Sequence, residues 1–392
     1  MRPVNRRVAA LLLAAALTAT ACGSGDPPAQ APAPAPAPAP SPSGPLTGVC
    51  PDPVVVQTDW FAEAEYGGYF RLLGDSPVFD TAQKRVSGPL VDRGSPAGVH
   101  LEIRYGGPAI GFQQVTAQMH TDLSITLGLI STDEAVQNSA ELGTLAVLAP
   151  LETSPLMIMW DRTRQPDVRT IADLGRAGTP VLYYQADTYM QYLLGSGQLR
   201  PEQVDGSYDG SPARWVSSDG AVAQGGFATA EPYIYRTELG AGRDYDIDLQ
   251  LISDTGYPIY GQALSIRAGE RADLAPCLRE LVPMVQRAWV DFMADPGPTT
   301  EVIVAAVEAE QTSVWSYSPG LADYAVRTMR ELGIVGNGPN ATLGDLDPAR
   351  VQRMIEILTP VFAGQNLPVR DGLTPEQLMT NEFVDPSVGL PG

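Results

Sequence analysis

Aromatic and carboxylate side chains that follow apolar runs are the residues of this sequence best suited to ligand chemistry. Trp60 comes after the apolar run 54–58, with Asp59 beside it and Tyr66 close behind. Aromatic rings stack on flat heterocycles, and carboxylates accept hydrogen bonds from ring amino groups or pair with a cation. These residue types suit a planar, nitrogen-bearing solute better than nitrate or a sulfonate, although any single ring could instead pack in the core. The candidate aromatic residues are Trp60, Tyr66, Tyr184, Trp215, Phe227, Tyr257 and Tyr260.

Two turns add polar groups where strands are expected to end and helices to begin. Residues 131–134 follow the apolar run 125–130 and have the S-x-x-E form of a capping box, and residues 184–188 follow another apolar run. Open α/β sheets bind ligands at such strand ends, where helix N-terminal amides and hydroxyl groups converge. Plain helix capping is the alternative for both turns. The candidate polar ligand-binding residues are Asp59, Glu65, Gln113, Ser131, Thr132, Gln185, Asp187, Thr188, Thr229 and Glu231.

The residues needed for common enzyme chemistry are scarce. Lys84 is the only lysine and lies in a loop-like stretch, so Schiff-base chemistry has no well-placed candidate. His100 and His120 are the only histidines, and neither has a partner at metal-ligand spacing. A net charge of −20 argues against nucleic acid or an anionic membrane surface as a partner. We therefore expect no catalytic residue, no metal and no cofactor.

The N-terminus has the pattern of a secretory signal. Basic residues precede a short apolar run, and small residues then lead to Cys22. The stretch 19–22 resembles a bacterial lipobox, whose cysteine receives a lipid anchor, although an ordinary cleaved signal is the alternative. This interpretation makes 1–21 a lipoprotein signal peptide. Residues 22–46, rich in Ala and Pro, then form a semi-rigid spacer between the membrane and the folded part.

Two cysteines, Cys50 and Cys277, remain once Cys22 is assigned to lipid. An even pair in an oxidising compartment predicts a disulfide. The bridge would close a loop of about 227 residues and restrict the unfolded chain by roughly 5 kcal/mol. Two buried free thiols are the alternative.

Short apolar runs alternate with helical patterns along the chain, which is typical of open α/β lobes. From residue 272 apolar side chains recur at three- and four-residue steps, which predicts a long helix, and further helices are expected near 300–311, 321–332 and 348–358. Residues 74–98 are rich in Asp, Ser, Pro and Gly, and we expect a surface excursion there. Strands are predicted at 54–58, 99–104, 125–130, 145–148, 156–160, 180–184 and 249–252.

Two motifs resemble those of a known family of binding proteins. Asp59 and Trp60 end a predicted strand, with Tyr66 and a glycine a few residues later, and the small-residue stretch 225–233 contains Glu231 followed by proline. These motifs resemble those of the periplasmic binding proteins for thiamine-pyrimidine precursors, and more widely for nitrate, taurine and aliphatic sulfonates. Tyr66 stands where histidine is common in that family. The resemblance continues discontinuously over about 53–295.

The resemblance implies an α/β fold of the type II periplasmic-binding-protein kind. Such a fold has two lobes joined by two crossover hinges, and here it would carry additional C-terminal helices. We place lobe 1 at 47–155 and 262–330, lobe 2 at 156–261, and a C-terminal helical extension at 331–392. The crossovers are expected at 154–160 and 256–263, where Gly256 and Gly261 could absorb hinge rotation.

The resemblance also implies a function. A monomeric lipoprotein outside the cytoplasm would capture a small solute between its lobes and deliver it to an ABC permease and its ATPase. The expected solute is similar to a thiamine-pyrimidine precursor; nitrate, sulfonate or taurine-type solutes are alternatives, as is a two-lobed surface protein that acts as a sensor or assembly partner. The same fold includes an enzyme that makes the thiamine pyrimidine, but its cysteine-rich metal segment has no counterpart in this sequence.

Overall fold

The described part of the chain is built on two β-sheets. The computed structural model describes residues 43–239, 245–312 and 315–391. The predicted signal peptide 1–21, Cys22 and most of the spacer 22–46 lie outside these residues. Within the described ranges, no helix combines the length and the apolar character needed to cross a membrane.

Twelve strands form the two sheets, seven in one and five in the other. We call the parts built on the larger and the smaller sheet lobe 1 and lobe 2. The strands of lobe 1 are β1 (Val54–Gln57), β2 (Val78–Asp80), β3 (Arg85–Asp92), β4 (Ser95–Arg104), β5 (Leu127–Ile130), β6 (Thr144–Leu148) and β12 (Ala263–Arg267). The strands of lobe 2 are β7 (Leu156–Asp161), β8 (Val181–Leu182), β9 (Val204–Asp205), β10 (Ala223–Phe227) and β11 (Ile247–Leu251).

The sheet of lobe 1 has the order β2-β3-β4-β1-β5-β12-β6. β1 pairs in parallel with β4 and β5, whereas β12 returns from lobe 2 and pairs antiparallel with β5 and β6. All four residues of β1 are buried, as expected of a central strand covered on both faces. The sheet of lobe 2 has the order β11-β7-β10-β8-β9.

The chain crosses between the lobes twice, at 149–155 and at 252–262. The predicted crossover at 154–160 is wrong over most of its length, because 156–160 is buried strand β7, paired with β10 and β11. Its apolar run gains more from two-sided burial in a sheet than from an exposed connection. The predicted crossover at 256–263 overlaps the second connection, where Gly256 has a φ of 89°.

The predicted surface excursion at 74–98 is also wrong. Its residues form β2, β3 and the start of β4, an antiparallel extension of the lobe 1 sheet. Within β3, Val86 and Leu90 are fully buried, which an alternating strand achieves and a loop does not. The turn-forming residues of this stretch therefore mark the tips of hairpins.

Eleven α-helices surround the sheets in the described ranges. The helix predicted from residue 272 is α8, and a disulfide joins its Cys277 to Cys50 just before β1, with 4.6 Å between the Cα atoms. The helices are α1 (Gly67–Phe70), α2 (Val115–Thr121), α3 (Thr132–Gln137), α4 (Ile171–Ala177), α5 (Tyr189–Gly195), α6 (Ala213–Ser217), α7 (Glu231–Tyr233), α8 (Arg271–Ala294), α9 (Gly297–Glu310), α10 (Pro319–Glu331) and α11 (Pro348–Gly364).

The C-terminal part of the chain is less helical than the prediction for 331–392. It contains one α-helix, α11, whose start is capped by the Asp347 carboxylate. Residues after α11 run across lobe 1 without a further α-helix in the described part, and Met379 forms a β-bridge with Ala146 of β6. α11 packs on α3 of lobe 1 and on α5 of lobe 2, so it spans the two lobes.

Candidate functional site

The cleft between the lobes contains two adjoining pockets that share Asp59, Leu156, Tyr184 and Asp187. They enclose about 480 and 410 Å³ of empty space, counting the part open to solvent. We call the first the aromatic compartment and the second the polar compartment. The aromatic compartment is lined by Asp59, Trp60, Glu63, Leu156, Tyr184, Asp187, Tyr208, Gly225, Gly226, Phe227, Ala230, Glu231 and Trp315. The polar compartment is lined by Asp59, Gln113, Gln114, Val115, Ser131, Asp133, Glu134, Leu156, Tyr184, Ala186, Asp187 and Thr188.

Aromatic rings from both lobes meet at Trp60. The indole follows β1 in lobe 1, and its ring centroid lies 5.1 Å from that of Tyr184, which follows β8 in lobe 2. Trp315, from the connection between α9 and α10, packs edge-on against Trp60 at 6.1 Å. Phe112 lies 5.9 Å from Tyr184 and contacts Trp60 as well. The cleft is therefore bounded by ring faces and edges that can stack on a flat ligand.

Asp59 lies where the two compartments join, directly after β1. Its carboxylate accepts hydrogen bonds from the Tyr66 hydroxyl at 2.7 Å and from the Gln262 amide at 3.0 Å. Burial raises the pKa of Asp59, and these two hydrogen bonds lower it. Gln262 precedes β12 at the end of the second crossover, so Asp59 is tied to that connection between the lobes.

Glu231 holds the opposite wall of the aromatic compartment. Its carboxylate accepts hydrogen bonds from the Tyr208 hydroxyl at 2.8 Å and from the backbone N–H of Phe227 at 2.7 Å. A Cβ on Gly226 would lie 2.4 Å from the Glu231 carboxyl carbon, so a larger residue at 226 would displace this carboxylate. Burial raises the pKa of Glu231, and the bond from Tyr208 lowers it.

Two further carboxylates, Glu63 and Asp187, also line the aromatic compartment. Glu63 is 1% exposed, and its Oε1 has no hydrogen-bond partner. Burial raises the pKa of Glu63 well above its usual range, and Glu65, Asp59 and Glu231 raise it further. Burial also raises the pKa of Asp187 well above its usual range, with Asp133, Asp59 and Glu231 adding to the shift. These groups repel one another when ionised.

The polar compartment lies at the start of α3, and it is also lined by carboxylate side chains. Burial raises the pKa of Asp133 to about 6, and that of Glu134 to about 7. The predicted capping box at 131–134 does not form, because the Ser131 side chain makes no capping bond and Glu134 instead accepts bonds from the Thr116 N–H and hydroxyl. Opposite them, the Gln114 amide donates to the Thr188 hydroxyl across the cleft at 3.3 Å.

Nine of the candidate residues line the cleft. The structure brings them together from strand and helix ends that are far apart in sequence. Those in the aromatic compartment are Asp59, Trp60, Tyr184, Asp187, Phe227 and Glu231, and Gln113, Ser131 and Thr188 are in the polar compartment.

The other candidates lie outside both compartments. Several are buried supports: Tyr66 donates to Asp59, Tyr257 donates to Asp133 at 2.8 Å, and Thr132 binds the backbone of Tyr260. Their hydroxyls are used in the fold, which corrects the expectation of direct ligand contact. Gln185 is exposed and lies against Gly206. Four more candidates are buried behind the compartment walls or away from them: Glu65, Thr229, Tyr260 and Trp215.

Sequence reasoning missed six polar or aromatic lining residues. Glu63 lies between Asp59 and Tyr66, and Asp133 and Glu134 are inside the turn already singled out, so the signal for these three was present. Nothing in the sequence pattern joins the remaining ones to the cleft. They are Gln114, Tyr208 and Trp315.

No group of three or more His, Cys, Asp or Glu side chains in the described ranges is arranged to hold a metal ion. The clustered carboxylates of the cleft face a space lined by aromatic rings. The arrangement can therefore hold an organic group through stacking and charge-assisted hydrogen bonds.

Comparison with known proteins shows the fold. No family model matches the chain, and no curated protein matches it in sequence. It is similar to the periplasmic aliphatic sulphonate binding protein SsuA of Escherichia coli, with 13% identity, a TM-score of 0.50, and 86% of this chain and 94% of that chain covered. It is also similar to the alkanesulfonate-binding protein SsuA of Xanthomonas axonopodis pv. citri bound to MOPS, with 13% identity, a TM-score of 0.51, and 84% and 100% covered. The predicted α/β fold of the periplasmic-binding-protein kind is confirmed.

Proposed function

We propose that this protein captures a small, planar, nitrogen-bearing solute in the cleft between its lobes and delivers it to an ABC importer. The observation that carries the proposal is the aromatic compartment, in which Trp60 of lobe 1 and Tyr184 and Phe227 of lobe 2 face one space. A ligand in that space would contact both lobes. Because such a ligand makes more contacts when the lobes are closed, its binding would shift the protein toward the closed state.

The rings give the compartment a preference for flat ligands. Trp60 packs edge-on against both Tyr184 and Trp315, and all three rings line the compartment. A planar solute that enters between them gains about 0.5–1.5 kcal/mol per ring pair beyond the burial of its apolar surface. A ring carrying amino groups would also donate hydrogen bonds to the carboxylates of the walls.

We propose that the protein is located outside the cytoplasm, at the cell membrane. The support is the lipobox-like sequence before Cys22 and the Ala/Pro-rich spacer that follows it. A diacylglycerol on Cys22 would hold the chain at the surface, and the spacer would let the lobes reach a permease there. The partners are then that permease and its ATPase, and the protein acts as a monomer without catalytic activity.

Sulfonates are the second candidate class of solute, because the two fold relatives described above are named for them. The cleft does not favour this class. None of the lining residues of either compartment is Lys, Arg or His, and a sulfonate would stand beside buried carboxylates with no positive partner.

A thermal-shift screen of nucleobases, pyrimidine precursors, flavins and alkanesulfonates tests the proposal. We expect a planar nitrogen-bearing compound to raise the melting temperature, and Tyr184→Ala to abolish that rise. Phe79→Ala, which removes a ring from β2 at the far edge of the lobe 1 sheet, is the control and should keep it. A protein stabilised by none of these compounds, or by alkanesulfonates alone, would contradict the proposed solute.

A further inference from the structure

We infer that the solute is an organic cation whose positive charge is held between Glu63, Asp187 and Glu231. The inference rests on the proposed function, since it names the charge of the solute that the same cleft would take. The positive charge is a property that the proposed function does not specify, because most planar nitrogen-bearing rings are neutral at pH 7.

The first observation is the charge inventory of the cleft. The two compartments together are lined by six carboxylate residues and by no basic residue. Buried carboxylates without a positive partner are costly, and a bound cation removes that cost. The six residues are Asp59, Glu63, Asp133, Glu134, Asp187 and Glu231.

The second observation is that none of the six cleft carboxylates forms an ion pair with a basic side chain, whereas carboxylates elsewhere in the described fold do. Glu102 is paired with Arg85 at 2.7 Å and with Arg104 at 2.6 Å, and Asp92 is paired with Arg287. In the cleft, Glu63 is 1% exposed and its Oε1 has no partner. The Tyr184 hydroxyl beside it in the lining is also buried without a partner. These atoms are free to accept hydrogen bonds from a ligand that enters the compartment.

The third observation is the position of the rings around these carboxylates. Trp60, Tyr184, Phe227 and Trp315 line the same space as Glu63. An aromatic face attracts a cation through its negative quadrupole, and the attraction grows when the site is desolvated. Carboxylates and ring faces therefore act on a positive charge in the same direction, whereas both disfavour an anion.

In the empty cleft, protons bound by the carboxyl groups neutralise the charge that a bound cation would otherwise balance. Burial raises the pKa of Glu63 and Asp187 well above the usual range of carboxyl groups, and their acidic neighbours add to the shift. These neighbours are Asp59, Glu65, Asp133 and Glu231. A bound cation favours the ionised carboxylates, so binding should release protons and tighten as pH rises from 5.5 to 7.5.

Three compounds that share one ring and differ in charge test the inference. Benzamidine is a cation, benzamide its neutral counterpart and benzenesulfonate an anion. Calorimetric titration of the mature protein at pH 7.5 should give the order benzamidine, benzamide, benzenesulfonate, with benzamidine bound about 10- to 100-fold more tightly than benzamide, as expected for charge-assisted hydrogen bonds. Repeating the benzamidine titration in buffers of different ionisation enthalpy should show proton release.

Isosteric variants identify the groups that hold the charge. Asp187→Asn and, separately, Glu63→Gln should lower the affinity for benzamidine about 10-fold or more and leave the affinity for benzamide unchanged. Both are tested because Glu63 is fully buried and its variant could fold poorly. Glu308→Gln changes an exposed carboxylate of α9 and should bind benzamidine like the wild type.

The outcomes separate the charge of the solute from the proposed function. Benzenesulfonate or benzamide bound more tightly than benzamidine would overturn the cation and leave solute capture standing. Benzamidine affinity that is equal in the wild type, Asp187→Asn and Glu63→Gln would overturn it too, as would Ca²⁺ that binds the cleft and excludes benzamidine. If none of the three compounds binds and the thermal-shift screen is also silent, the proposed function itself fails.

Discussion

Trp60 is the residue on which the proposed stacking of the solute depends most. It contacts Tyr184, Phe112 and Trp315. Trp60→Ala removes stacking and burial together, so we expect a loss of roughly 2–4 kcal/mol of binding free energy for the best solute of the screen, about 30- to 1000-fold in affinity. Trp60→Phe should lose less, because a smaller ring keeps an aromatic face.

The Trp60 variants also distinguish binding from packing. A side chain that serves only the fold would lower the melting temperature of Trp60→Ala and leave the affinity of the folded variant unchanged. Calorimetric titration of both variants, with melting curves of the same samples, measures the two effects separately. Unaltered affinity in folded Trp60→Ala would contradict the stacking role.

The buried carboxyl of Glu65 predicts how stability depends on pH. Burial raises its pKa from 4.5 to about 7, and Glu231 and Asp59 add to the shift, while the Tyr317 hydroxyl lies close by. The folded state therefore binds more protons than the unfolded state between these values. Its free energy of unfolding should fall as pH rises through this window, by on the order of 3 kcal/mol from this group.

Urea unfolding of the ligand-free protein at pH 5.0 and pH 7.5 measures this dependence. Glu65→Gln cannot ionise, so the difference between the two pH values should shrink but not vanish, because burial also raises the pKa of Asp133 to about 6 and of Glu134 to about 7. Glu308→Gln, on the exposed side of α9, should keep the full difference. An unchanged difference in Glu65→Gln would show that Glu65 is already ionised in the folded protein.

At the scale of residues, a place in the cleft could be predicted for side chains that directly follow a strand. It could not be predicted for side chains that reach the cleft through packing. Trp60, Tyr184 and Asp187 line the cleft because the ends of β1 and β8 face each other across it. Tyr257 and Tyr260 are in the second crossover as expected, but both rings are buried against other elements of the fold. Trp315 reaches the cleft from the connection after α9, and no local pattern distinguishes it from a core tryptophan.

The C-terminal helix α11 holds both crossovers through one side chain. The Arg350 guanidinium donates to the Glu152 carboxylate at 3.0 Å and the Glu152 carbonyl at 2.9 Å in the first crossover, and to the Pro258 carbonyl at 3.0 Å in the second. It also lies 3.7 Å from the Tyr260 ring centroid. Arg350→Gln leaves these groups without their partner, so we expect a loss of about 2–4 kcal/mol in the free energy of unfolding.

Arg353→Gln is the matched control for Arg350→Gln. Arg353 lies one turn away on α11 and is exposed, so its replacement should change the free energy of unfolding by less than about 0.5 kcal/mol. Hydrogen exchange should also become faster at 149–155 and 252–262 in Arg350→Gln alone. Equal urea midpoints for the two variants would contradict the role of Arg350 at the hinge.

Elements with a strong period were predictable, and elements defined by their partners were not. The stripe of apolar residues in α8 and the buried run of β1 are visible in the sequence because each covers or crosses a core. β2 and β3 were missed because Gly, Pro and Asp dominate their stretch, and their strand state depends on pairing with β4. The first crossover was placed too late along the chain, over residues 156–160, which were also predicted as a strand and form β7.

At the scale of the whole molecule, two lobes and a cleft are set by the order of strands along the chain. The chain builds most of the lobe 1 sheet, then lobe 2, and returns through β12, and Arg350 contacts both crossovers. The disulfide between Cys50 and Cys277 lies within lobe 1, so it would not oppose the proposed closure. α11 packs on both lobes, which limits the rotation to a range in which that packing survives.

Small-angle X-ray scattering tests most directly whether a solute binds between the lobes and holds them together. The sample is the mature chain without lipid, with and without a saturating amount of the best compound from the screen, and calorimetry on the same sample verifies binding. We expect a smaller radius of gyration with the compound for the wild type, and no change for Trp60→Ala at the same concentration. An unchanged scattering profile of the wild type with binding verified would contradict capture by lobe closure.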